Sequence, residues 1–247
     1  MTRFLLLGGT TEARHLAGAV AEQGLDAVYS YAGRTGAPAA QPLPTRVGGF
    51  GGVAGLAAYL RAENITHVVD ATHPFAARIS ANAVAACRQT GTALCAFERA
   101  PWRAGPGDRW THVPDIAGAV AALPAAPARI FLAIGRQNLA DFAARPAHHY
   151  LLRLVDAPDA PLPLSRAEAV IARGPFTEAQ DRTLLAARRI ALVVAKNAGG
   201  DGARAKLDAA RALGLPVILI DRPAVPQRPV VDDVAAVMGW LGHAPSA

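Results

Sequence analysis

The chain has 247 residues, of which 52% are hydrophobic and 18% charged, and its formal net charge is +6. This composition excludes a disordered chain and supports one large or two modest folded domains. Apolar stretches are too short to span a membrane, and the basic residues lack the interleaved aromatics of a nucleic-acid surface. Two cysteines, Cys87 and Cys95, favour reduced thiols in a cytoplasmic protein. The positive charge therefore favours an anionic small molecule as partner.

The first hundred residues alternate short apolar strands with helical patterns. Residues 37–52 hold several prolines and glycines and are predicted to form a loop. Strands are predicted at residues 4–7, 27–31, 67–71 and 93–97. Three helical patterns lie between them, and this alternation predicts a parallel, doubly wound sheet with its ligand at the carboxyl ends of the strands.

A shift to Pro, Gly, Arg and Trp near residue 100 predicts a domain boundary, after which strands and helices alternate again. The later candidate strands are residues 130–134, 150–155, 169–172, 190–195 and 217–220, and a terminal helix is predicted at 231–241. We therefore predict an α/β protein of two Rossmann-like, doubly wound parallel-sheet domains with a cleft between them. The assigned ranges are 1–100 for the first domain, 101–112 for a linker and 113–247 for the second domain.

A glycine turn, Gly8-Gly9-Thr10-Thr11-Glu12, follows the first strand and opens the first helix. Such a turn lets backbone N–H groups at a helix N-terminus face a pyrophosphate, while glycines allow close approach. Thr10 stands where the dinucleotide fingerprint has its second glycine, and Ala13 stands where it has its third. The turn therefore indicates either a nucleotide site or a simple chain reversal in which Thr10 or Thr11 caps the helix.

Arg34 follows the second strand, at the position that distinguishes the two nicotinamide dinucleotides. A carboxylate here would bind the ribose 2′-hydroxyl, whereas an arginine accommodates a 2′-phosphate. No acid lies nearby on the carboxyl side of this strand. The pattern favours NADPH, and a surface arginine in a glycine turn is an equally open interpretation.

The loop after the third strand, Asp70-Ala-Thr-His-Pro-Phe-Ala76, carries polar groups at a ligand-facing strand end. Asp70 ends an apolar strand, where a carboxylate is costly unless it is paired. Thr72 is predicted to cap the next helix and Pro74 to lie in its first turn. His73 is then either a hydrogen-bonded structural residue or a catalytic group. No spacing of His, Cys or carboxylates indicates a metal site.

Two turns in the second half repeat this arrangement. Gly135-Arg-Gln-Asn138 and Lys196-Asn-Ala-Gly-Gly-Asp-Gly202 each follow a strand and open a helix, with Arg204 and Lys206 just beyond. A lysine, an amide and glycines at a helix N-terminus can hold a carboxylate or a phosphate. Glycine-rich connections without ligands are also common, so a purely structural role stays open.

Seven motifs lie in register along nearly the whole chain. They are Leu7-Gly-Gly-Thr-Thr-Glu12, Ala32-Gly-Arg34, Gly48-Gly-Phe-Gly-Gly52, Asp70-Ala-Thr-His-Pro-Phe-Ala76, Gly135-Arg-Gln137, Gly174-Pro-Phe176 and Lys196-Asn-Ala-Gly-Gly200. As a set they resemble the precorrin-6A reductase family of cobalamin biosynthesis. One departure is Ala198, where that family is expected to have serine.

The resemblance implies an NADPH-dependent reduction of a C=C bond in the precorrin-6A macrocycle, giving precorrin-6B. The Gly8–Glu12 turn would take the pyrophosphate and Arg34 the 2′-phosphate, while the Gly48–Gly52 and Thr72–Phe75 loops would shape the nicotinamide side. The implied cofactor-binding residues are Gly8, Gly9, Thr10, Thr11, Glu12, Arg34, Gly49, Phe50, Thr72, His73, Pro74 and Phe75.

The implied substrate is a large anionic tetrapyrrole, which also accounts for the net charge of +6. Hydride passes to one carbon of a conjugated system and a proton is added to its neighbour, with His73 and Lys196 as candidate catalytic acids and water as the alternative. A metal, a nucleic acid and a membrane are not expected, and the chain is expected to be a monomer or a small homo-oligomer. The implied substrate-binding residues are Arg14, Arg136, Lys196, Asn197, Gly199, Gly200 and Arg204.

Two other functions stay open on the sequence. An NADPH-sensing regulatory module would bind the cofactor without turnover, and a nucleotide-sugar transferase would gain no stability from NADPH. A short-chain dehydrogenase requires a Tyr-x-x-x-Lys pair. None of the four tyrosines is followed by lysine four residues later, so that class is excluded.

Overall fold

The computed structural model describes residues 2–32 and 39–243. The chain forms two compact units, which we call the first and second domains. The first domain contains the chain up to Ala100 together with the chain from Ala224 onward, and the second contains Pro101–Pro223. Within residues 2–32 and 39–243, no helix combines the length and the apolar character needed to cross a membrane.

Parallel strands alternate with helices along the described chain. The strands are β1 Phe4–Leu7, β2 Ala27–Tyr31, β3 Thr45–Val47, β4 His67–Asp70, β5 Ala93–Phe97, β6 Trp110–Val113, β7 Arg129–Ala133, β8 His149–Leu154, β9 Ala167–Ile171, β10 Leu192–Lys196, β11 Val217–Ile220 and β12 Val230–Val231. The α-helices are α1 Thr11–Glu22, α2 Gly52–Ala62, α3 Ala77–Thr90, α4 Ile116–Ala121, α5 Glu178–Ala187, α6 Ala205–Ala212 and α7 Val234–His243. Two 3₁₀ helices, Arg136–Asn138 and Ala140–Ala144, follow β7.

The first sheet is built around β1, whose side chains are buried on both faces. The strand order is β12-β5-β4-β1-β2-β3, and the pairs are parallel. Phe4 and Leu6 pack with α1 and α7 on one face, while Leu5 and Leu7 pack with α2 and α3 on the other. Because alternate strand residues point to opposite faces, four consecutive apolar residues are what a sheet covered on both sides requires.

The second sheet has an equivalent strand order, β6-β11-β10-β7-β8-β9, and its pairs are also parallel. One face packs on α5 and α6 through Leu185 and Leu207, and Trp102 joins this core. In each sheet the chain runs outward from a central strand to one side and later continues on the other side, which is the doubly wound arrangement. The predicted fold class, α/β with two Rossmann-like parallel-sheet domains, is confirmed.

The predicted domain boundaries need two corrections. The terminal segment completes the first domain, since β12 pairs with β5 and Val237 of α7 lies in the core beside α1. The predicted linker, residues 101–112, holds most of strand β6 and also Trp102, which is buried in the second core. Both strands escaped prediction because they are edge strands without an apolar pattern: β12 has two residues, and in β6 only Val113 is buried.

The predicted loop at residues 37–52 also contains a strand, β3. Its three residues are exposed, half-buried and exposed in turn, so no apolar pattern marks it. β3 pairs with Tyr29–Tyr31 of β2 as the outermost strand of the first sheet. The Gly48–Gly52 turn therefore lies at the carboxyl ends of the strands, as does the turn after β1.

Candidate functional site

The first candidate site lies at the switch point of the first sheet, between β1 and β4. The chain leaves these neighbouring strands in opposite directions, and open α/β sheets bind ligands in the crevice that results. Leu7 pairs with Ser30 on one side and with Asp70 on the other, so the three strands end at one level. The Thr10 hydroxyl joins the two loops by donating to the carbonyl of Ala71 at 2.9 Å. The loops predicted to hold a nucleotide therefore meet at one edge.

Tyr29 of the neighbouring strand fixes the glycine turn after β1. A Cβ on Gly8 would lie 2.1 Å from the Tyr29 ring, and Gly9 has a φ of +116°. The Gly9 N–H donates to the Tyr29 hydroxyl at 2.9 Å, and burial raises the pKa of this phenol to about 12. Packing therefore requires the first glycine, and the N–H of the second is engaged inside the protein.

Thr10 is the N-cap of α1, which was one of the two candidate caps. Its hydroxyl oxygen accepts from the Ala13 N–H at 3.1 Å while its proton is donated to Ala71. The N–H groups of the first turn, at Thr11 and Glu12, have no carbonyl partner within the helix. Together with the dipole of a 12-residue helix, they make this end suitable for a phosphate.

Glu12 does not present a lone carboxylate to this helix end. Arg99, which follows β5, donates to the Glu12 carboxylate at 2.5 Å. Burial raises the pKa of Glu12, but the hydrogen bond from Arg99, a hydrogen bond from the backbone N–H of Glu12 itself and the positive charge of Arg99 outweigh it and hold this pKa below its usual value. The pair has no net charge, so it does not repel a phosphate as an isolated carboxylate would.

A cavity of about 470 Å³ opens beside the turn, at the ends of β1, β2 and β3. Arg34, predicted to bind a 2′-phosphate, lies outside the described residues. The predicted cofactor-binding residues that line the cavity are Gly8, Gly49, Phe50 and Thr72. The lining residues that were not predicted include Ser30, Ala32, Arg78 and Asn82.

Asp70 holds Thr72 at the wall of this cavity. Asp70 is 2% exposed, and its Oδ1 accepts from the Thr72 N–H at 3.2 Å and from the Thr72 hydroxyl at 2.7 Å. These bonds to Oδ1 offset part of the cost of burying a carboxylate at a strand end, while Oδ2 is buried without a hydrogen-bond partner among the described residues. They also replace the predicted cap: α3 begins at Ala77, so Thr72 does not cap it and Pro74 precedes its first turn.

His73, Pro74 and Phe75 lie on the β4 side of the switch point. His73 is exposed, and its Nδ1 accepts the Phe75 N–H at 3.2 Å, so Nε2 carries the proton of the neutral ring. Pro74 lies near Thr10 and Arg99 in a small pocket at the ends of β1, β4 and β5. These three residues are not part of the wall of the larger cavity, which lies toward β2 and β3.

The second sheet has its own switch point, between β7 and β10. The Gly135–Gln137 and Lys196–Gly200 motifs follow these two strands, so the structure brings both motifs to one edge. Lys196 Nζ donates to the side-chain oxygen of Asn138 at 3.1 Å, across the switch point. A half-buried cation therefore lies where a sheet of this kind binds a ligand.

Asn197 and Trp102 hold the loop after β10 in place. Asn197 is 5% exposed; its Oδ1 accepts from the Trp102 N–H at 2.8 Å and its Nδ2 donates to the Trp102 carbonyl at 3.1 Å. Trp102 Nε1 donates to the Gly200 carbonyl at 2.7 Å, and Arg222 donates to the carbonyls of Asn197 and Ala198. The Asn197 side chain, predicted to bind substrate, is thus engaged in supporting the loop.

The arginines predicted to bind substrate differ in their surroundings. Arg14 is exposed on α1, and Arg136 is exposed, with its Nη1 3.9 Å from an Asp159 oxygen. Arg204 is half-buried at the N-cap of α6 and donates to Asp208 of that helix at 3.2 Å. Arg136 and Arg204 follow β7 and β10, the two strands of the second switch point, whereas Arg14 lies in the first domain.

Neither cysteine has the character of a reactive group. Cys87 and Cys95 are both buried, and burial raises the pKa of their thiols to about 12 and about 11. Across residues 2–32 and 39–243, no group of three His, Cys, Asp or Glu side chains is arranged to hold a metal ion.

Residues 3–242 match the family model described as precorrin-6x reductase CbiJ/CobK. The chain belongs to this family. Its relatives include the precorrin-6A reductase of Rhodobacter capsulatus, 72% identical with 98% of this chain and 96% of the relative covered, and that of Mycobacterium tuberculosis, 43% identical over the full length of both. A solved structure titled CobK precorrin-6A reductase superimposes with a TM-score of 0.95 at 71% identity, covering 98% of this chain and 96% of the other. The family predicted from the seven motifs is confirmed.

Besides the cavity-lining residues given above, three residues that support the two sites were not predicted. Arg99 pairs with Glu12, Trp102 with Asn197, and Arg46 contacts Gly48 and Gly49 beside the cavity. The sequence separation is 87 positions in the first of these contacts and 95 positions in the second, so no local spacing could reveal them. Arg46 lies in β3, which itself had no recognisable pattern.

Proposed function

We propose that this chain reduces precorrin-6A to precorrin-6B with NADPH, a step of cobalamin biosynthesis. The observation that carries the proposal is the full-length match to precorrin-6A reductases, with 72% identity to one of them. The nucleotide-sized cavity at the first switch point is what such a reaction requires of the first domain. The cation at the second switch point suits a substrate that carries carboxylates.

The residues of the first domain fit NADPH. Gly8 has no side chain at the end of β1, the first turn of α1 offers N–H groups to the pyrophosphate, and Arg99 neutralises Glu12 beside them. The cavity lies toward β2 and β3, where a Rossmann sheet holds the adenosine half, so Gly49 and Phe50 are assigned to that half rather than to the nicotinamide side. His73, Pro74 and Phe75, on the β4 side, are assigned to the nicotinamide half.

The second domain is assigned to the carboxylates of the macrocycle. Lys196 and Arg136 supply positive charge at its switch point. Gly199 and Gly200 have φ values of +70° and +69°, a left-handed backbone that a residue with a side chain rarely adopts. Hydrogen bonds to Trp102 hold the loop that carries these glycines, and this loop follows Lys196 directly.

When bound, NADPH supplies the hydride for one carbon of the conjugated macrocycle. The protein's part is to orient the two molecules, because an extended π-system spreads the developing charge without a strong acid. His73 with its Nε2–H and Lys196 with its ammonium group are the two candidate proton donors among the predicted site residues, and solvent water is the third.

The direct test mixes purified protein, NADPH and precorrin-6A. Loss of nicotinamide absorbance together with a product heavier by two hydrogens supports the proposal. Binding of NADPH without turnover would instead favour a sensing module, and no effect of NADPH on thermal stability would exclude both the reductase and the sensing module.

Arg34→Ala is expected to raise the KM for NADPH by about tenfold or more and to change the KM for NADH little. Equal effects on the two cofactors would remove Arg34 from the 2′-phosphate site.

A further inference from the structure

Arg46 of β3 is bound tightly to the loop that forms the outer wall of the adenosine cavity. Its Nη1 donates to Ser30 Oγ at 2.8 Å and to the Gly48 carbonyl at 3.0 Å, and its Nη2 donates to the Gly49 carbonyl at 3.2 Å. The guanidinium carbon lies 3.8 Å from the centre of the Phe50 ring. Ser30, Gly48, Gly49 and Phe50 all line the cavity, so Arg46 lies directly behind its wall.

The charge of Arg46 is not neutralised by any carboxylate of residues 2–32 and 39–243. Its partners in that part of the chain are one hydroxyl, two carbonyls and two aromatic rings, Phe50 and Tyr59. A guanidinium has five N–H donors, and three are used by these bonds, which leaves Nε–H and one Nη2–H. A half-buried cation with unused donors and no anion beside it attracts a negatively charged group of a ligand.

The position of Arg46 indicates which ligand group that is. In a Rossmann sheet the 2′ position of the adenosine ribose lies at the end of the second strand, which here is β2. Arg46 is tied to Ser30 of β2 and to the turn that follows β3. We propose that Arg46 is a specificity-determining residue for the 2′-phosphate of NADPH, acting beside or in place of Arg34. This inference rests on the proposed function, since it concerns the cofactor of the same reaction.

The test measures binding of adenosine fragments by calorimetry and needs no turnover. The full-length protein and its Arg46→Gln, Arg46→Lys and Arg61→Gln variants are each titrated with 2′,5′-ADP and with ADP. Arg61 is the matched control, because it is an arginine of α2 that donates to the Gln89 carbonyl, and Gln89, unlike the partners of Arg46, does not line the cavity. Arg46→Gln is expected to lose about tenfold or more in affinity for 2′,5′-ADP and less than about threefold for ADP.

The remaining outcomes decide the proposal. Arg46→Lys keeps the positive charge but loses the paired N–H donors of the guanidinium, so it should retain part of the preference for 2′,5′-ADP over ADP. This variant replaces Arg46→Gln in the test if Arg46→Gln does not fold. Equal losses for both ligands in both variants would show that Arg46 only shapes the loop, which overturns the inference. An unchanged preference in Arg46→Gln overturns it as well and leaves the proposed function standing. A wild-type protein that binds 2′,5′-ADP no better than ADP would contradict both.

Discussion

Each domain has a side chain that bridges the two loops at its switch point, and the chemical group that makes the bridge differs between the domains. In the first, the neutral hydroxyl of Thr10 bridges the loops after β1 and β4, whereas in the second the ammonium group of Lys196 bridges the loops after β10 and β7. β1 is followed by a 12-residue α-helix, but β7 is followed by 3₁₀ helices of three and five residues. A three-turn helix offers N–H groups and a dipole to an anion, and isolated 3₁₀ turns offer much less.

Under the proposed function, one sheet order would serve two kinds of anion. The first domain uses backbone groups and a helix end, which suit a phosphate held close to a glycine turn. In the second domain β7 leads into 3₁₀ helices and eight residues separate α6 from β10, so side-chain charge is the feature nearest its switch point, and such charge suits carboxylates. The turn of the first domain is fixed by contact with Tyr29, and the loop of the second is fixed by hydrogen bonds to Trp102.

The largest expected effect is on the backbone-built site of the first domain. Gly8→Ala should lower the free energy of unfolding by about 3 kcal/mol, because the new Cβ would overlap the ring of Tyr29, which is 1% exposed and cannot move aside. Chemical denaturation measures this change. Gly18→Ala is the control: Gly18 lies in α1 with open space around it, so alanine should stabilise the protein by about 0.5–1 kcal/mol. A Gly8→Ala protein as stable as wild type would mean that packing does not dictate the turn.

The next largest effect is expected for the hydrogen bonds between Asn197 and Trp102, which hold the loop after β10. Asn197→Ala should lower the free energy of unfolding by about 2 kcal/mol, since it removes two buried hydrogen bonds and leaves the Trp102 N–H without its acceptor. Asn197→Asp keeps the acceptor and loses the donor, so it should lie between alanine and wild type at neutral pH. Denaturation curves of the three proteins check the order. Equal stability of all three would place Asn197 among ligand contacts rather than supports.

The same contrast explains how much of this architecture the sequence could predict. Apolar runs mark the strands β1 and β2, and local residue types mark the glycine turns. Both the fold class and the two switch-point motifs were therefore predictable. The edge strands β3, β6 and β12 have two to four residues and few buried side chains, and they carry no such pattern. Their place in the sheets depends on tertiary pairing, which explains why β12 was assigned to the wrong domain.

Candidate site residues were predictable where a loop type marks a strand end. Gly8, Thr72 and Lys196 were found this way, because the loops themselves are recognisable. Arg99 and Trp102, which pair with Glu12 and Asn197 at these loops, were not predictable, because these pairs join residues far apart in the sequence and form only after folding. The charge state of Glu12 is an example: its sequence position indicates an acid beside a phosphate, and only the fold supplies the arginine that compensates it.

A smaller effect tests the side-chain charge of the second domain. Lys196→Met should weaken binding of precorrin-6A by about tenfold, since a charge-assisted contact to carboxylate is lost, while NADPH affinity changes little. Titration of each ligand separately measures both affinities. Lys206→Met is the control for loss of charge alone, because Lys206 lies in α6, where its ammonium group contacts the Ala203 carbonyl and the Trp102 ring and does not bridge the two switch-point loops. Unchanged substrate affinity in Lys196→Met would mean that the second domain does not depend on this cation.

The smallest expected effect concerns the ion pair between Glu12, in the first turn of α1, and Arg99. Arg99 lowers the pKa of Glu12 below its ordinary value of 4.5 in the folded protein. The stabilisation is therefore fully present above the unfolded pKa and is lost as the pH falls through the folded pKa. At pH 7, Glu12→Gln should lower the free energy of unfolding by about 1 kcal/mol, and this difference should shrink toward zero as the pH falls below 4.5.

Denaturation of both proteins across this pH range checks the sign of the effect. Glu22→Gln, an exposed glutamate at the last residue of the same helix, makes the same chemical change without an Arg99 partner, so it should leave stability nearly unchanged. A Glu12→Gln difference that stays constant with pH would mean that the pair is not the source of the stabilisation. The stabilising role of Arg99 would then lie in contacts other than its ion pair with Glu12.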